Sequence, residues 1–352
     1  PLFLAMFETM YQMAMVMIPK LSKSGMLDMS SGSELEPQLA STGWAFMDWR
    51  ILGFLAALVT GTLLLAACGV SAGSVGSGQE NRAHPSGASG AKINVVATNS
   101  LLADLVGRVG GELVQVTTLV PPGVDVHAFQ LKPSHSLAIG RADLLVSNGG
   151  GLDDFLVPVL RNSARPGAKW VIVADGLEPR AQLDNGDPHF WLDPGLAIAY
   201  VMQIRDGLVR VDPKHESDYM ANAEEYSAQL SALDQEIEEI LSRVATERRH
   251  LVTYHDAFGH LARRYNWEVT ALVPDDGRDV APRTLAKLLT RINRDGLPAV
   301  FVEPQYQQGL LTRIAREAGI GVGVIYSLPG PEAHTYLDMM RYNAESMARE
   351  LR

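Results

Sequence analysis

Cysteine occurs once in the 352 residues, at Cys68, so no intramolecular disulfide can staple this chain. Basic residues are outnumbered, 30 Lys and Arg against 40 Asp and Glu, leaving a formal charge of −10. That balance excludes a nucleic-acid binder, which needs basic patches to displace counterions. It suits a collector of cations, though acidity serves solubility as well. Charged residues make up only 20% against 47% apolar, which excludes a disordered chain and leaves an ordinary globular composition. The sequence contains no repeat of the solenoid type. It also lacks a local zinc signature such as HExxH, so any metal site must be assembled from distant residues.

One long apolar run stands out. "MDWRILGFLAALVTGTLLLAACG" passes from Met47 through Arg50 into Ile51 to Ala67 and ends in Leu65, Ala66, Ala67 and Cys68. Charged, apolar and small-residue regions follow one another as a signal peptide requires. The ending resembles the lipobox of bacterial lipoproteins, which implies cleavage before Cys68 and a lipid on its thiol, a membrane anchor. The competing reading is a short membrane span, near the lower length limit for one. The Gly/Ser-rich stretch over 68–92 behaves as a flexible leash. Residues 1–46 are read as an upstream extension of unknown role, and 47–67 as the signal peptide.

From Ile93 onward strands and helices alternate. "INVVAT", "VQVTTLV", "ADLLVSNG" and "KWVIVADG" read as strands, with the amphipathic "SLLADLVGRVGG" between the first two. Such alternation implies α/β packing with parallel-type sheets. After Pro213, apolar residues at Tyr219, Ala223, Tyr226, Leu230, Leu233, Ile237 and Leu241 keep the three-and-four spacing of one face of a long helix. Alternation then resumes. The expected organisation is an N-terminal α/β lobe over 93–212, a rigid connecting helix over 213–245 and a C-terminal α/β lobe over 246–352.

Three histidines end up in comparable places. His127 lies in the Pro/Gly loop "LVPPGVDVHAFQLKPS", His189 in "GDPHFWLDP", and His255 where "HLVTY" runs toward a helix. In "GDPHFWLDP" each Pro forbids helical continuation and favours an extended residue before it, so His189 is expected in a pinned loop. Each histidine follows a strand end, and in open α/β sheets that carboxyl edge is where ligands bind. Taken singly, each could equally be a satisfied, partly buried side chain. His260 is about 140° round a helix from His255, so the two cannot share an ion. His84 in the leash reads as solvated, and His135, His215, His250 and His334 as surface or packing residues.

"PPGVDVHAFQLKPS", "ADLLVSNGGGLDDFL", "GDPHFWLDP", "YHDAFGHLARRY", "VFVEPQ" and "TYLDMMRYN", in this order and spacing, resemble the metal-binding solute receptors of ABC transporters that collect zinc or manganese. The resemblance covers Ile93 to the C-terminus. It implies a monomeric, lipid-anchored extracytoplasmic receptor with two lobes joined by one backbone helix, and an ion held between the lobes for a membrane permease. It also implies His127 and His189 as first-lobe ligands and His255 as the second-lobe ligand. Three imidazoles suit borderline-soft Zn²⁺ better than Mn²⁺, which prefers oxygen.

Two departures qualify the resemblance. The family supplies a fourth ligand, an aspartate, after the last strand, where this chain reads "VIYSLPGPEAH" with Tyr326 and Ser327. Water, or an acid such as Asp275 or Asp276, could take that place. Glu303 is expected instead to accept an imidazole N–H. The His-rich loop of many zinc receptors is also missing, which keeps manganese open. Two other functions remain: a zinc hydrolase or hydratase with an open three-histidine site, offering Asp256 or Glu303 as base, and a metal-stabilised surface adhesin. For the receptor, ligating imidazoles must be neutral, so affinity is expected to weaken as pH falls from about 6.5 to 5. The long helix is expected to keep closure small.

Overall fold

The computed structural model describes residues 91–124, 126, 129–177, 186–273, 282–306 and 308–352. The extension, the signal peptide, Cys68 and the leash to residue 90 lie outside the described residues, as do His127, Asp275 and Asp276.

The first sheet holds β1 (Ile93–Asn99), β2 (Val114–Val120), β3 (Leu144–Ser147) and β4 (Lys169–Ile172), all parallel, in the order β2-β1-β3-β4. Val95 stands opposite both Val116 and Leu144. Helix α1 (Ser100–Gly110) follows β1 directly because the Asn99 side chain accepts from the Leu102 N–H, supplying its N-cap. Its Leu101, Leu102, Leu105, Val106 and Val109 are buried. It stops at Gly111, whose φ of 53° favours glycine. Short helices α2 (Pro133–Arg141) and α3 (Val157–Ser163) come next.

Helix α4 (Pro194–Val211) was not assigned from the sequence, but its local signals are clear. Asp193 caps it by accepting from the Gly195 N–H, Pro194 occupies the first turn, and Ala197, Tyr200, Val201, Ile204 and Leu208 form the buried face. Gly207 lets α4 approach the sheet: a Cβ there would lie 2.5 Å from Val171 Cγ2.

The long helix α5 runs Glu216–Ser242, 27 residues and about 40 Å. A 3-10 turn at Pro213–His215 precedes it, so the helix is a few residues shorter at each end than the sequence pattern suggests. Tyr219, Ala223, Tyr226, Leu230, Leu233, Ile237 and Leu241 are all buried.

The second sheet repeats the winding of the first. It holds β5 (His250–His255), β6 (Glu268–Val273), β7 (Ala299–Val302) and β8 (Gly321–Val324), parallel and ordered β6-β5-β7-β8. Its helices are α6 (Gly259–Arg264), α7 (Pro282–Asp295), α8 (Gly309–Ala318) and α9 (Tyr336–Glu350). One apolar core runs from Val95 and Leu105 through Tyr200 and Leu230 to Phe258, Phe301 and Met339, so it reaches both sheets by way of α5. Smaller clusters cover the outer faces, around Val252, Leu288 and Val300, and around Val96, Ile139 and Leu160. Among the described residues no helix is long and apolar enough to cross a membrane.

Candidate metal centre

His189 is placed by a loop that has almost no freedom. The Asp187 side chain accepts both the His189 backbone N–H, at 2.9 Å, and the ring Nδ1–H, at 2.8 Å. An ionised carboxylate can only accept, so Nδ1 carries the proton and the Nε2 lone pair points the other way. Burial pushes the Asp187 carboxyl up, but the hydrogen bond and charge of His189, with His260 beside it, outweigh this and hold it below its usual range. The loop is pinned again one residue earlier, where Asn148 Nδ2 donates to the Pro188 carbonyl at 3.1 Å. Tyr200 on α4 donates to Asn148 Oδ1. Buried Asp153 accepts from Asn148 N, Gly149 N and Thr98 Oγ1. The carboxyl ends of β1 and β3 thus hold the histidine loop in place.

His255 closes β5 and is 3% exposed. Its Nδ1 lies 3.0 and 3.1 Å from the two carboxylate oxygens of Glu303, at the end of β7, so again Nδ1 is the donor. Glu303 is fully buried and also accepts from Ser327 Oγ at 2.7 Å and Gln305 Nε2 at 3.2 Å. Tyr306 leans on the His255 ring with centroids 4.7 Å apart, and stacks on Tyr254.

The two imidazoles meet: His189 Nε2 and His255 Nε2 are 3.4 Å apart. Two nitrogens each about 2.0–2.1 Å from one tetrahedral zinc would stand about 3.3–3.4 Å apart. Both rings are therefore oriented by a carboxylate behind them, the arrangement that fixes tautomer and raises ligand basicity in metal-binding histidines. Among the described residues no group of three or more His, Cys, Asp or Glu is placed to hold an ion.

The remaining candidates separate. Ser327 lines the small cavity with His189, Trp191, Gln305 and Tyr306, but its Oγ donates to Glu303 and accepts from Gln305 Nε2 at 2.8 Å. Tyr326 does not line that cavity: its ring packs against Tyr342, centroids 5.3 Å apart, and over Gly330. Glu303 sits behind His255, as an acceptor. Asp256 follows His255 and is half-buried. His260 is turned to another task. Its Nε2–H donates to the Asp187 carbonyl at 3.0 Å, its Nδ1 accepts from Arg263, and burial lowers its pKa. His250 lies at the opposite end of β5, against Thr270. His215 pairs with Asp212, and His135 Nδ1 accepts from the Lys132 N–H.

Asp187, Gln305 and Trp191 are the side chains that sequence reading passed over. For Asp187 a signal existed, since an Asp two residues before a loop histidine can fold back onto its N–H.

The sequence profile of zinc-uptake complex component A, periplasmic, matches residues 95–350. The chain belongs to that family. The manganese-binding lipoprotein MntA of Halalkalibacterium halodurans is 29% identical over 268 residues, spanning 74% of this chain and 89% of that protein. The iron-binding protein YfeA of Yersinia pestis is 28% identical over 270 residues, covering 73% and 86%. Among solved structures, the periplasmic zinc-binding protein TroA of Treponema pallidum superposes with a TM-score of 0.70 at 26% identity, covering 74% of this chain and 99% of TroA. The Mn-bound periplasmic metal-binding protein of Candidatus Liberibacter asiaticus gives 0.68 at 27% identity, covering 74% and 100%. The proteins this chain is similar to thus include ones named for binding zinc, manganese and iron.

Proposed function

We propose that this chain is the extracytoplasmic receptor of an ABC transporter for a divalent metal ion, taking Zn²⁺ in preference to Mn²⁺ and handing it to a membrane permease. The reading rests on one observation above all: two imidazole Nε2 atoms 3.4 Å apart, each ring held from behind by a carboxylate, Asp187 or the buried Glu303. His189 and His255 act as ligands, and His127 supplies the third imidazole. Nitrogen donors at tetrahedral spacing suit zinc, whereas manganese is better served by oxygens. Water fills the fourth position, because Ser327 is engaged with Glu303 and Gln305, and the Tyr326 ring packs elsewhere. The Cys68 lipid tethers a monomer to the outer face of the cell membrane.

The protein is a carrier and not an enzyme. That reading is supported by the relatives, which are named as binding proteins, and by the small cavity lined by His189, Trp191 and Ser327 beside the proposed ligands. No observation favours the adhesin reading. Calorimetric titration of metal-stripped protein tests the proposal. One equivalent of zinc binds more tightly than manganese, and His189→Ala, His255→Ala and His127→Ala each abolish tight binding. Equal binding in all three variants, or metal-dependent turnover of activated esters, would refute it.

A further inference from the structure

Trp191 stands two residues past His189 and is 1% exposed. Its ring meets the His189 imidazole edge-on, centroids 5.2 Å apart. Its indole N–H crosses to the second half of the chain and donates to the Ser327 carbonyl at 2.7 Å. Its own carbonyl accepts from the Tyr336 hydroxyl, at the start of α9, at 2.7 Å. One residue of the first half is thus bonded twice to the second, immediately beside a proposed ligand. On the other side, the segment around Ser327 is fastened to its own half: Asn343 on α9 accepts from the Tyr326 N–H and donates to the Tyr326 carbonyl, at 2.8 and 2.7 Å. Trp191, Ser327 and Leu328 all line the cavity that His189 faces.

We propose that Trp191 is a positioning residue that sets how fast the metal ion leaves, by clasping the 327–328 wall of the cavity to the loop carrying His189. This deepens the receptor reading above and rests on it. For the ion to escape past Ser327 and Leu328, that wall must move from the first half, and the indole hydrogen bond must break. In this proposal the clasp belongs to the metal-loaded form, and entry proceeds through the unloaded form with the wall displaced. The clasp therefore acts mainly on dissociation.

The test uses the full-length chain loaded with zinc and mixed rapidly with excess chelator. Trp191→Phe keeps an aromatic ring but removes the N–H, and Tyr336→Phe removes only the hydroxyl that holds the Trp191 carbonyl. Losing one buried hydrogen bond is expected to raise the dissociation rate about fivefold to tenfold in either variant, with the association rate within about twofold of wild type. A second readout is the indole itself: zinc binding should change the tryptophan emission of the wild type, and that change should vanish in Trp191→Phe. Dissociation rates unchanged in both variants would overturn the clasp while leaving the receptor intact, as would equal changes in both rates. Failure of the wild type to bind zinc would overturn the receptor reading and the clasp together.

Discussion

Replacing Glu303 by Gln removes a charge while nearly preserving shape, and so isolates what the carboxylate does for His255. Both carboxylate oxygens face the His255 Nδ1–H, at 3.0 and 3.1 Å, and one of them also takes Ser327 and Gln305. Glutamine retains a single acceptor oxygen and places an NH₂ where the other stood. A hydrogen bond to a charged acceptor contributes about 1.5–3 kcal/mol against about 0.5–1.5 for a neutral one, a difference of about 1–1.5 kcal/mol. At about 1.4 kcal/mol per decade, metal affinity should fall about tenfold. That lies at the lower end of the roughly 10–100-fold expected when the partner behind a ligating imidazole is lost. The assay is equilibrium competition with a fluorescent zinc chelator at about pH 7.5, where free imidazole is largely neutral. An affinity within about twofold of wild type would mean that Glu303 does not orient the ring. A loss beyond about a thousandfold would mean that the carboxylate itself touches the ion, which would refute the assignment as a supporting acceptor.

Asp187→Asn should weaken zinc binding by a similar factor of about ten, because the same reasoning applies to His189, and titration calorimetry reads it directly. Gly207→Ala should destabilise the fold by about 1–3 kcal/mol, since the added methyl lands on Val171, while leaving zinc affinity of the folded protein unchanged; chemical denaturation with a parallel titration checks both. His250 is buried and desolvation, chiefly, lowers its pKa, so the unfolded chain binds its proton more readily. Stability from this group is present above the ordinary histidine range and is lost as pH falls through about 6.5 and below. His250→Gln should therefore show a shallower fall in Tm between about pH 7 and 5 than wild type; parallel curves would contradict it.

Much of the architecture was legible because it is written in short-range pattern. Strand runs, the face of α5 and the capped start of α1 each declare themselves within a dozen residues. The same short-range pattern singled out His189 by its prolines and His255 and Glu303 by their places at strand ends, and the structure brings these three side chains together. What escaped notice depends on contacts across long stretches of chain. Trp191 reads as another core aromatic until Ser327, 136 residues on, is found against its N–H. His260 looked like a bystander on its helix, yet it holds the Asp187 carbonyl across 73 residues. Tyr326 and Ser327 are adjacent in sequence, but their backbone geometry sends one ring into the core and the other side chain toward the cavity, a distinction that spacing does not encode.

The large apolar core that joins both sheets has a consequence for life outside the cytoplasm. Were each half built around its own interior, one could melt while the other persisted, and the melted half would be cut by surrounding proteases. Here Leu230 and its neighbours on α5 belong to both halves at once, so neither keeps the largest part of its interior when the other is lost, and each is left with only a smaller cluster of its own. Melting that reaches the shared core should therefore loosen both halves together. Ion capture, by favouring the intact form, then guards both sheets and the helices packed on them against digestion, including parts far from the ion.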